Sequence, residues 1–329
     1  MALPPILEDR LRLPVVASPM FIVSNPDLVI AQCTSGIVGS FPSLNARPQS
    51  QLREWLTRIT EALAKYDANN PEAPSAPYAV NLIVHRSNDR LDEDLATIVE
   101  FQVPIVITSL GAREDVNEAI HSYGGIVLHD IINDKFAHKA VEKGADGLIA
   151  VSAGAGGHAG TQSPFALIQE IRQWFDGPLL LSGSIAHGRS ILAAQAAGAD
   201  LAYIGSAFIA TEEANAADAY KQMIVDSGAS DIVYSNLFTG VHGNYLRGSI
   251  SAAGMDPDNL ATSDPSAMDF GTGTGEGDGD SAKSDAKAWR DIWGAGHGVG
   301  AVQAVVPAAE LVERLETEYA AARAALLGT

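Results

Sequence analysis

One titratable side chain stands among glycines and alanines in the stretch VSAGAGGHAG, residues 151–160, which follows an apolar run. A glycine-rich loop allows a flat ring system to lie close to the main chain. The imidazole of His158 is the nearby group that can exchange a proton close to neutral pH. A histidine that caps a helix or bonds a carbonyl is the alternative, but its small neighbours remove the packing that such a residue usually has. We therefore predict that His158 is a catalytic base.

Two later apolar runs end in the same dipeptide. LSGSIAHGRS carries Ser182, Gly183 and Ser184, and YIGSAF carries Gly205 and Ser206. Glycine lets backbone amides approach an anion, and serine adds a hydroxyl group. Gly-Ser pairs can also simply mark turns, but their repetition on consecutive late strands favours a phosphate site. The sequence therefore predicts phosphate binding without a basic side chain.

Further candidates come from other parts of the chain. Asn81 lies in the apolar run AVNLIV, where its amide must find hydrogen-bond partners in a heterocycle or in a neighbouring loop. The stretch IWGAGHGVG places Trp293 and His297 where they could line a substrate pocket or form a turn. Tyr245 is a weaker candidate for the same pocket. The remaining histidines have no metal-ligand spacing with acids or cysteines, so no metal is predicted.

The apolar runs of the sequence predict the strands that position these residues. Eight runs are nearly continuous in Val, Ile, Leu and Ala and alternate with amphipathic stretches, which is typical of parallel strands buried on both faces. Eight βα units predict an α/β fold, a (β/α)8 TIM barrel. A doubly wound open sheet is the alternative, disfavoured because no GxGxxG motif follows the first strand. The predicted strands are 13–20, 35–41, 78–84, 104–110, 124–131, 147–154, 178–184 and 201–208.

The regular pattern stops near residue 230, which suggests a division into three segments. We predict a barrel over 1–225, a smaller cap or insertion over 226–300, and a C-terminal helix within 301–329 that packs back on the barrel. The stretch GTGTGEGDG follows no strand and precedes no helix. We expect a flexible acidic loop near 271–286.

The composition narrows the class of ligand. The formal charge of −19 over 329 residues disfavours binding to nucleic acid or to anionic lipid. The only cysteine, Cys33, lies in an amphipathic stretch and fits a core position better than a nucleophile. No apolar run reaches the length of a membrane span. We predict a cytoplasmic protein that acts on a small molecule, with a homodimer as one option for an oligomeric state that the sequence leaves open.

The motifs PVVASPM, AVNL, GAGGHAG, SGSIAHGR, GADLAYIGSAF and IWGAGHGVG together resemble those of the nitronate monooxygenase family, also called 2-nitropropane dioxygenases. These are FMN-dependent barrels related to the flavin-dependent enoyl-acyl-carrier-protein reductases. The resemblance covers nearly the whole chain. It implies FMN as cofactor, molecular oxygen as co-substrate, and oxidation of alkyl nitronates or nitroalkanes to a carbonyl compound and nitrite. An NAD(P)H-dependent flavin reductase that acts on quinones or enoyl thioesters is the alternative, with NAD(P)H as a transient reductant.

The resemblance also implies residue roles. His158 would be the base beside the reactive flavin edge, and Asn81 would bond the isoalloxazine ring or its ribityl side. The sequence departs from the family at Asp130, where a lysine often follows the fifth-strand histidine, and in the segment GHAGTQSP, which is usually more acidic. The predicted cofactor-binding residues, taken from the resemblance and the loops together, are Pro19, Met20, Asn81, Ala155, Gly156, Gly157, Ser182, Gly183, Ser184, Gly205, Ser206 and Gly296.

Overall fold

Parallel strands wound into a barrel dominate the computed structural model, which describes residues 3–263 and 291–328. The expected acidic loop near 271–286 lies outside these residues. The strands of the described residues are β1 (Val15–Ala17), β2 (Gly39–Pro42), β3 (Tyr78–Ile83), β4 (Ile105–Ser109), β5 (Ile126–Ile131), β6 (Gly147–Val151), β7 (Gly157–His158), β8 (Leu179–Ser182), β9 (Leu201–Ile204), β10 (Ile232–Ser235) and β11 (Gly243–Leu246).

Eight of these strands form one parallel sheet in the order β1-β9-β8-β6-β5-β4-β3-β2. A parallel bridge between Val16 and Val38 joins the first strand of this order to the start of the last, and thereby closes the sheet into a barrel. Each barrel strand falls within one of the eight runs identified in the sequence or extends one of them by a single residue. The predicted (β/α)8 barrel is confirmed.

Helices alternate with the barrel strands and cover their outer side. The C-terminal helix, Ala308–Leu327, packs along the helix that follows β8, where the Tyr319 hydroxyl donates a 2.6 Å hydrogen bond to Gln195 Oε1. The other α-helices among the residues that the structure describes are α1 (Pro26–Thr34), α2 (Gln51–Asn69), α3 (Leu91–Glu100), α4 (Glu114–His121), α5 (Asp134–Glu142), α6 (Pro164–Ile171), α7 (Gly188–Ala197), α8 (Ser206–Ile209), α9 (Asp218–Asp226) and α10 (Arg247–Ala252).

The two faces of each barrel strand are both buried, which explains why the apolar runs are continuous. Successive residues of a strand point to opposite faces, so residues two positions apart share a face. The inward-facing cluster inside the barrel includes Ala79, Ile107, Leu128, Leu180 and Leu201. The residue two positions further along each strand therefore also faces inward, at the carboxyl end of the barrel. These next inward residues are Asn81, Ser109, Asp130, Ser182 and Tyr203.

A second, antiparallel sheet of three strands, in the order β10-β11-β7, lies beside the carboxyl ends of the barrel strands. Its β7 belongs to the loop after β6, and its other two strands come from the predicted cap. The domain boundaries themselves stay a prediction, as does the homodimer. No helix among residues 3–263 and 291–328 is both long and apolar enough to cross a membrane.

Several of the sequence-based elements are longer than the elements of the structure. The strand expected over 201–208 ends at Ile204, because Ser206–Ile209 forms the short helix α8. The strand expected over 147–154 ends at Val151, where the glycine-rich loop begins. The amphipathic stretch 212–228, which follows the last predicted strand, is helical only over Asp218–Asp226.

Candidate functional site

A cavity of about 1780 Å³ opens at the carboxyl ends of the barrel strands. This volume exceeds the roughly 300–1,000 Å³ of ordinary small-molecule sites, so it can hold more than one ligand. Most of the residues singled out from the sequence line this one cavity, although they lie far apart along the chain. They are Pro19, Met20, Asn81, Ala155, Gly156, Gly157, His158, Ser182, Gly183, Ser184, Gly205, Ser206, Trp293 and Gly296.

Polar side chains form a hydrogen-bonded chain on the cavity floor. Asn81 Nδ2 donates to Ser109 Oγ at 2.7 Å and to the Ile107 carbonyl oxygen at 3.0 Å. The Ser109 hydroxyl in turn donates to Asp130 Oδ2 at 2.6 Å. Loss of hydration raises the pKa of the Asp130 carboxyl to about 6, although the bond from Ser109 opposes this shift. The floor therefore carries a carboxyl group that titrates close to neutral pH.

Glycine loops from distant parts of the chain touch one another at one side of the cavity. A Cβ atom added at Gly156 would lie 2.8 Å from the Gly296 nitrogen, so neither position has room for a side chain. The Gly296 N–H donates to Ser206 Oγ at 2.8 Å, and the Ser184 N–H donates to the Gly154 carbonyl oxygen at 3.2 Å. The loops after β6, β8 and β9 and the 294–298 turn thus form one continuous wall of mostly bare main chain.

The turn after β8 needs an unusual backbone. Gly183 has φ of 129° and Ser184 has φ of 58°, both in the left-handed region. A Cβ atom at Gly183 would lie 2.6 Å from Ser152 Oγ, so glycine is required there on steric grounds as well. This turn leaves Ser184 exposed at the cavity, where its hydroxyl can reach a ligand.

His158 lies in β7 rather than in an open loop, and β7 pairs with β11 through the register His158–Gly243. Its ring is half-buried and lines the cavity. His158 Nε2 lies 3.1 Å from Thr239 Oγ1. Loss of hydration lowers the pKa of His158 to about 4. The imidazole is therefore neutral at pH 7 and able to accept a proton.

A pair of stacked aromatic rings forms another part of the wall. The rings of Tyr220 and Trp293 lie 4.9 Å apart and within 13° of parallel. The Tyr220 hydroxyl donates a 2.5 Å hydrogen bond to the Gly294 carbonyl oxygen, which holds helix α9 against the glycine turn. Both rings line the cavity. Their flat, apolar faces suit an organic substrate or the face of a heterocycle.

Two predicted pocket residues do not line this cavity in the described part of the chain. Tyr245 is only 1% exposed and packs edge-on against Phe238, because it alternates inward from β11 into a small cluster of its own. The His297 side chain is exposed and lies beside Gly154, where an added Cβ atom would be 3.2 Å from His297 Nδ1, and its N–H donates to the Gly154 carbonyl oxygen at 2.9 Å. Cys33 is buried, and burial raises the pKa of its thiol to about 12, in agreement with a core role.

Several cavity residues were not identified as candidates from the sequence. Ser109 and Tyr203 could have been found by stepping two residues along each strand from a buried apolar position, since this alternation places them at the barrel mouth. Tyr220 and Thr239 carry no comparable signal, because only the tertiary fold brings α9 and the 236–242 turn to the cavity.

A family model matches most of the chain, and the relatives carry more than one activity name. A family model described as nitronate monooxygenase matches residues 6–318. A nitronate monooxygenase of Paraburkholderia phytofirmans is 26% identical over 350 aligned residues, which cover 93% of this chain and 92% of that protein. A Rhodococcus jostii (3aS,4S,5R,7aS)-5-hydroxy-7a-methyl-1-oxo-octahydro-1H-indene-4-carboxyl-CoA dehydrogenase is 24% identical and covers 73% of this chain and 68% of its own. The solved nitroalkane oxidase of Streptomyces ansochromogenes shares the fold, with a TM-score of 0.77, 24% identity, and 97% and 99% of the two chains covered.

Proposed function

The chain belongs to the nitronate monooxygenase family of oxidoreductases, and from this premise we propose that it uses FMN and molecular oxygen to convert alkyl nitronates and nitroalkanes into a carbonyl compound and nitrite. The observation that carries the proposal is the position of His158. Its neutral imidazole faces the same cavity as the bare main chain of the four glycine loops. A proton acceptor thus stands beside a surface suited to a large flat cofactor.

The cavity residues fit a flavin mononucleotide. At Gly156 and Gly183 a Cβ atom would collide with atoms of neighbouring loops, so these loops can pack together only as main chain. The Cβ position of Gly157, which lines the cavity, has no atom within 4 Å and leaves room for a flat ring. FMN, when bound, supplies the electron acceptor that the side chains themselves lack. We assign the phosphate to Ser182, Gly183, Ser184, Gly205 and Ser206, and the ring system to Pro19, Met20, Asn81, Ala155, Gly156, Gly157 and Gly296.

The base can be described at the level of atoms. The Thr239 hydroxyl donates to the Val241 carbonyl oxygen at 3.0 Å. Its oxygen can therefore accept from His158, and we propose that the imidazole proton lies on Nε2 and that Nδ1 acts as the base. For a neutral nitroalkane, we propose that Nδ1 takes the proton from the carbon that bears the nitro group. A preformed nitronate has already lost this proton and does not need the base.

The aromatic pair has a second role in this proposal. Trp293 and Tyr220 offer an apolar wall to the alkyl part of the substrate, and they limit the access of water to the reacting carbon. The hydrogen bond from Tyr220 to the Gly294 carbonyl fixes this wall to the glycine turn.

The visible spectrum of the purified protein tests the proposal. A flavin spectrum that is bleached by nitronate without oxygen, and nitrite formation when oxygen is admitted, are the expected results. A protein that is colourless and gains no yellow colour on addition of FMN would exclude the proposed cofactor.

A second candidate function keeps the flavin but changes the reaction to NAD(P)H-dependent reduction of quinones or enoyl thioesters. It is supported by the Rhodococcus relative, whose name describes a CoA thioester, and by a cavity large enough for a bulky acceptor. Rapid anaerobic bleaching by NADH or NADPH, with no bleaching by nitronate, would select this reaction over the first.

A further inference from the structure

Asp130 is a cavity carboxyl group that the proposed reaction does not use. It follows the inward-facing Leu128 by two positions on β5, so its side chain enters the barrel mouth. Part of its surface is accessible, and it opens into the cavity. One carboxyl oxygen accepts the 2.6 Å hydrogen bond from Ser109, which is itself held by Asn81.

The surroundings of Asp130 contain little to stabilise a negative charge. The strands beside β5 read IVITS in β4 and GLIAV in β6 and carry no titratable side chain. His129 alternates to the other face of β5, where it bonds Thr108 Oγ1 at 2.6 Å, and across the barrel Asp130 faces the Tyr203 phenol. The titratable groups of the helices packed outside β5 are Glu114, Asp115, Glu118 and His121 on α4 and Asp134, Lys135, His138, Lys139 and Glu142 on α5.

A ligand as long as FMN that is held by the phosphate turns extends across the barrel mouth toward the strands that carry this carboxyl group. In the closed barrel, β3 lies opposite β8 and β4 lies opposite β9. The turns after β8 and β9 are the proposed phosphate site, whereas Asn81, Ser109 and Asp130 lie on β3, β4 and β5. If the phosphate of FMN is bound at the turns after β8 and β9, the rest of the molecule extends across the barrel mouth toward Asn81, Ser109 and Asp130.

We propose that Asp130 is a proton-binding residue of the cofactor site, and that flavin binds with the Asp130 carboxyl as the neutral acid. This inference rests on the proposed use of FMN. Flavin covers the cavity and displaces water, which disfavours a carboxylate further. The exposed edge of its ring system presents more hydrogen-bond acceptors than donors, and a protonated carboxyl can donate to one of them.

The sign of the pH dependence follows from this assignment. The pKa of Asp130 in the open cavity is raised to about 6, and bound flavin raises it further. Below pH 6 the carboxyl is already protonated, and flavin binds without proton exchange. Above pH 6 each binding event must take up a proton, so the flavin Kd rises by up to about tenfold per pH unit until the pKa of the bound state is reached. His158 lies outside this window, since its pKa is about 4.

Flavin titrations of the full-length chain, freed of bound flavin, test the proposal between pH 5.5 and 8. Riboflavin is titrated beside FMN because it lacks the phosphate, which itself titrates near pH 6. The expected result for wild type is a Kd that rises with pH for both ligands. Calorimetry at pH 7 in two buffers of different ionisation enthalpy should show uptake approaching about one proton.

Three variants separate the possible results. Asp130→Asn should give a Kd for riboflavin that is independent of pH, while the exposed control Asp176→Asn keeps the wild-type profile. Ser109→Ala removes a donor to the carboxylate, so the rise in Kd should begin at higher pH. A pH-independent Kd in wild type, or an identical profile in Asp130→Asn, would overturn the role of Asp130. Failure of every chain to bind either ligand at any pH would instead contradict the proposed cofactor.

Discussion

Replacement of His158 by asparagine should slow the turnover of a neutral nitroalkane much more than that of its nitronate, which has one proton fewer. A neutral nitroalkane needs a base, and a positioned general base typically contributes about 10²–10⁴-fold to the rate. Because each factor of ten corresponds to about 1.4 kcal/mol, the expected loss is about 3–5 kcal/mol of transition-state stabilisation. A preformed nitronate needs no proton transfer, so its oxidation should stay within about tenfold of wild type.

The pH profile of the wild-type enzyme gives an independent check. Desolvation lowers the pKa of His158 to about 4, so the basic form is fully populated at pH 7. Turnover of the nitroalkane should therefore be flat from pH 6 to 8 as far as this residue is concerned. It should fall only as the pH drops through about 4, where the imidazole becomes protonated.

The assay is nitrite release from a nitroalkane and from its nitronate, with flavin content measured by absorbance in each sample. The exposed His138, which stacks on Trp174 outside the barrel, provides the matched control His138→Asn with wild-type rates on both substrates. An equal loss on both substrates in His158→Asn, with flavin retained, would refute the assignment of the base.

Three further predictions follow from contacts in and around the barrel. Thr239→Val removes the hydrogen-bond partner of His158 and should lower nitroalkane turnover by roughly tenfold with nitronate turnover unchanged, as measured by nitrite release. Gly156→Ala places a methyl group 2.8 Å from a backbone nitrogen and should weaken FMN binding by at least about tenfold in a fluorescence titration. Asp94→Ala leaves the largely buried Arg90 without its carboxylate and should reduce the free energy of unfolding by about 3–5 kcal/mol in a urea titration.

Two of these predictions have a control in the chain. Thr239→Ser keeps the hydroxyl and should restore nitroalkane turnover. Replacement of the exposed pair residue Glu100 by alanine should leave the unfolding free energy nearly unchanged, since surface ion pairs contribute little. If Gly156→Ala binds FMN as tightly as the wild type, the contacts around Gly156 can adjust to a methyl group and the prediction is wrong.

The barrel could be predicted from the sequence because both faces of its strands are buried. Residues such as Val15 and Val16 on β1 face the helix layer and the barrel interior respectively, so no polar residue interrupts the run. The Gly-Ser pairs at the ends of β8 and β9 marked the mouth for the same reason, since the first polar residues appear where the strand leaves the core.

Other parts of the site depend on contacts that no local pattern encodes. Thr239 reaches His158 across 81 residues of sequence, and Tyr220 reaches the cavity through its stacking with Trp293. The prediction of Tyr245 as a pocket residue is wrong because the register of β11 turns its side chain into a separate core. The strand predicted over 201–208 is too long because helix α8 begins with small apolar residues such as Ala207, which resemble strand residues in composition.

The wall of touching glycines also has a consequence for biosynthesis. Its contributing loops extend from Gly154 to Gly296, whereas the last barrel strand ends at Ile204. On the ribosome, all eight barrel strands emerge long before the final turn of this wall. Nascent chains that stop short of residue 294 lack this turn and also the C-terminal helix that packs against α7, so the proposed flavin site should be completed only late in synthesis.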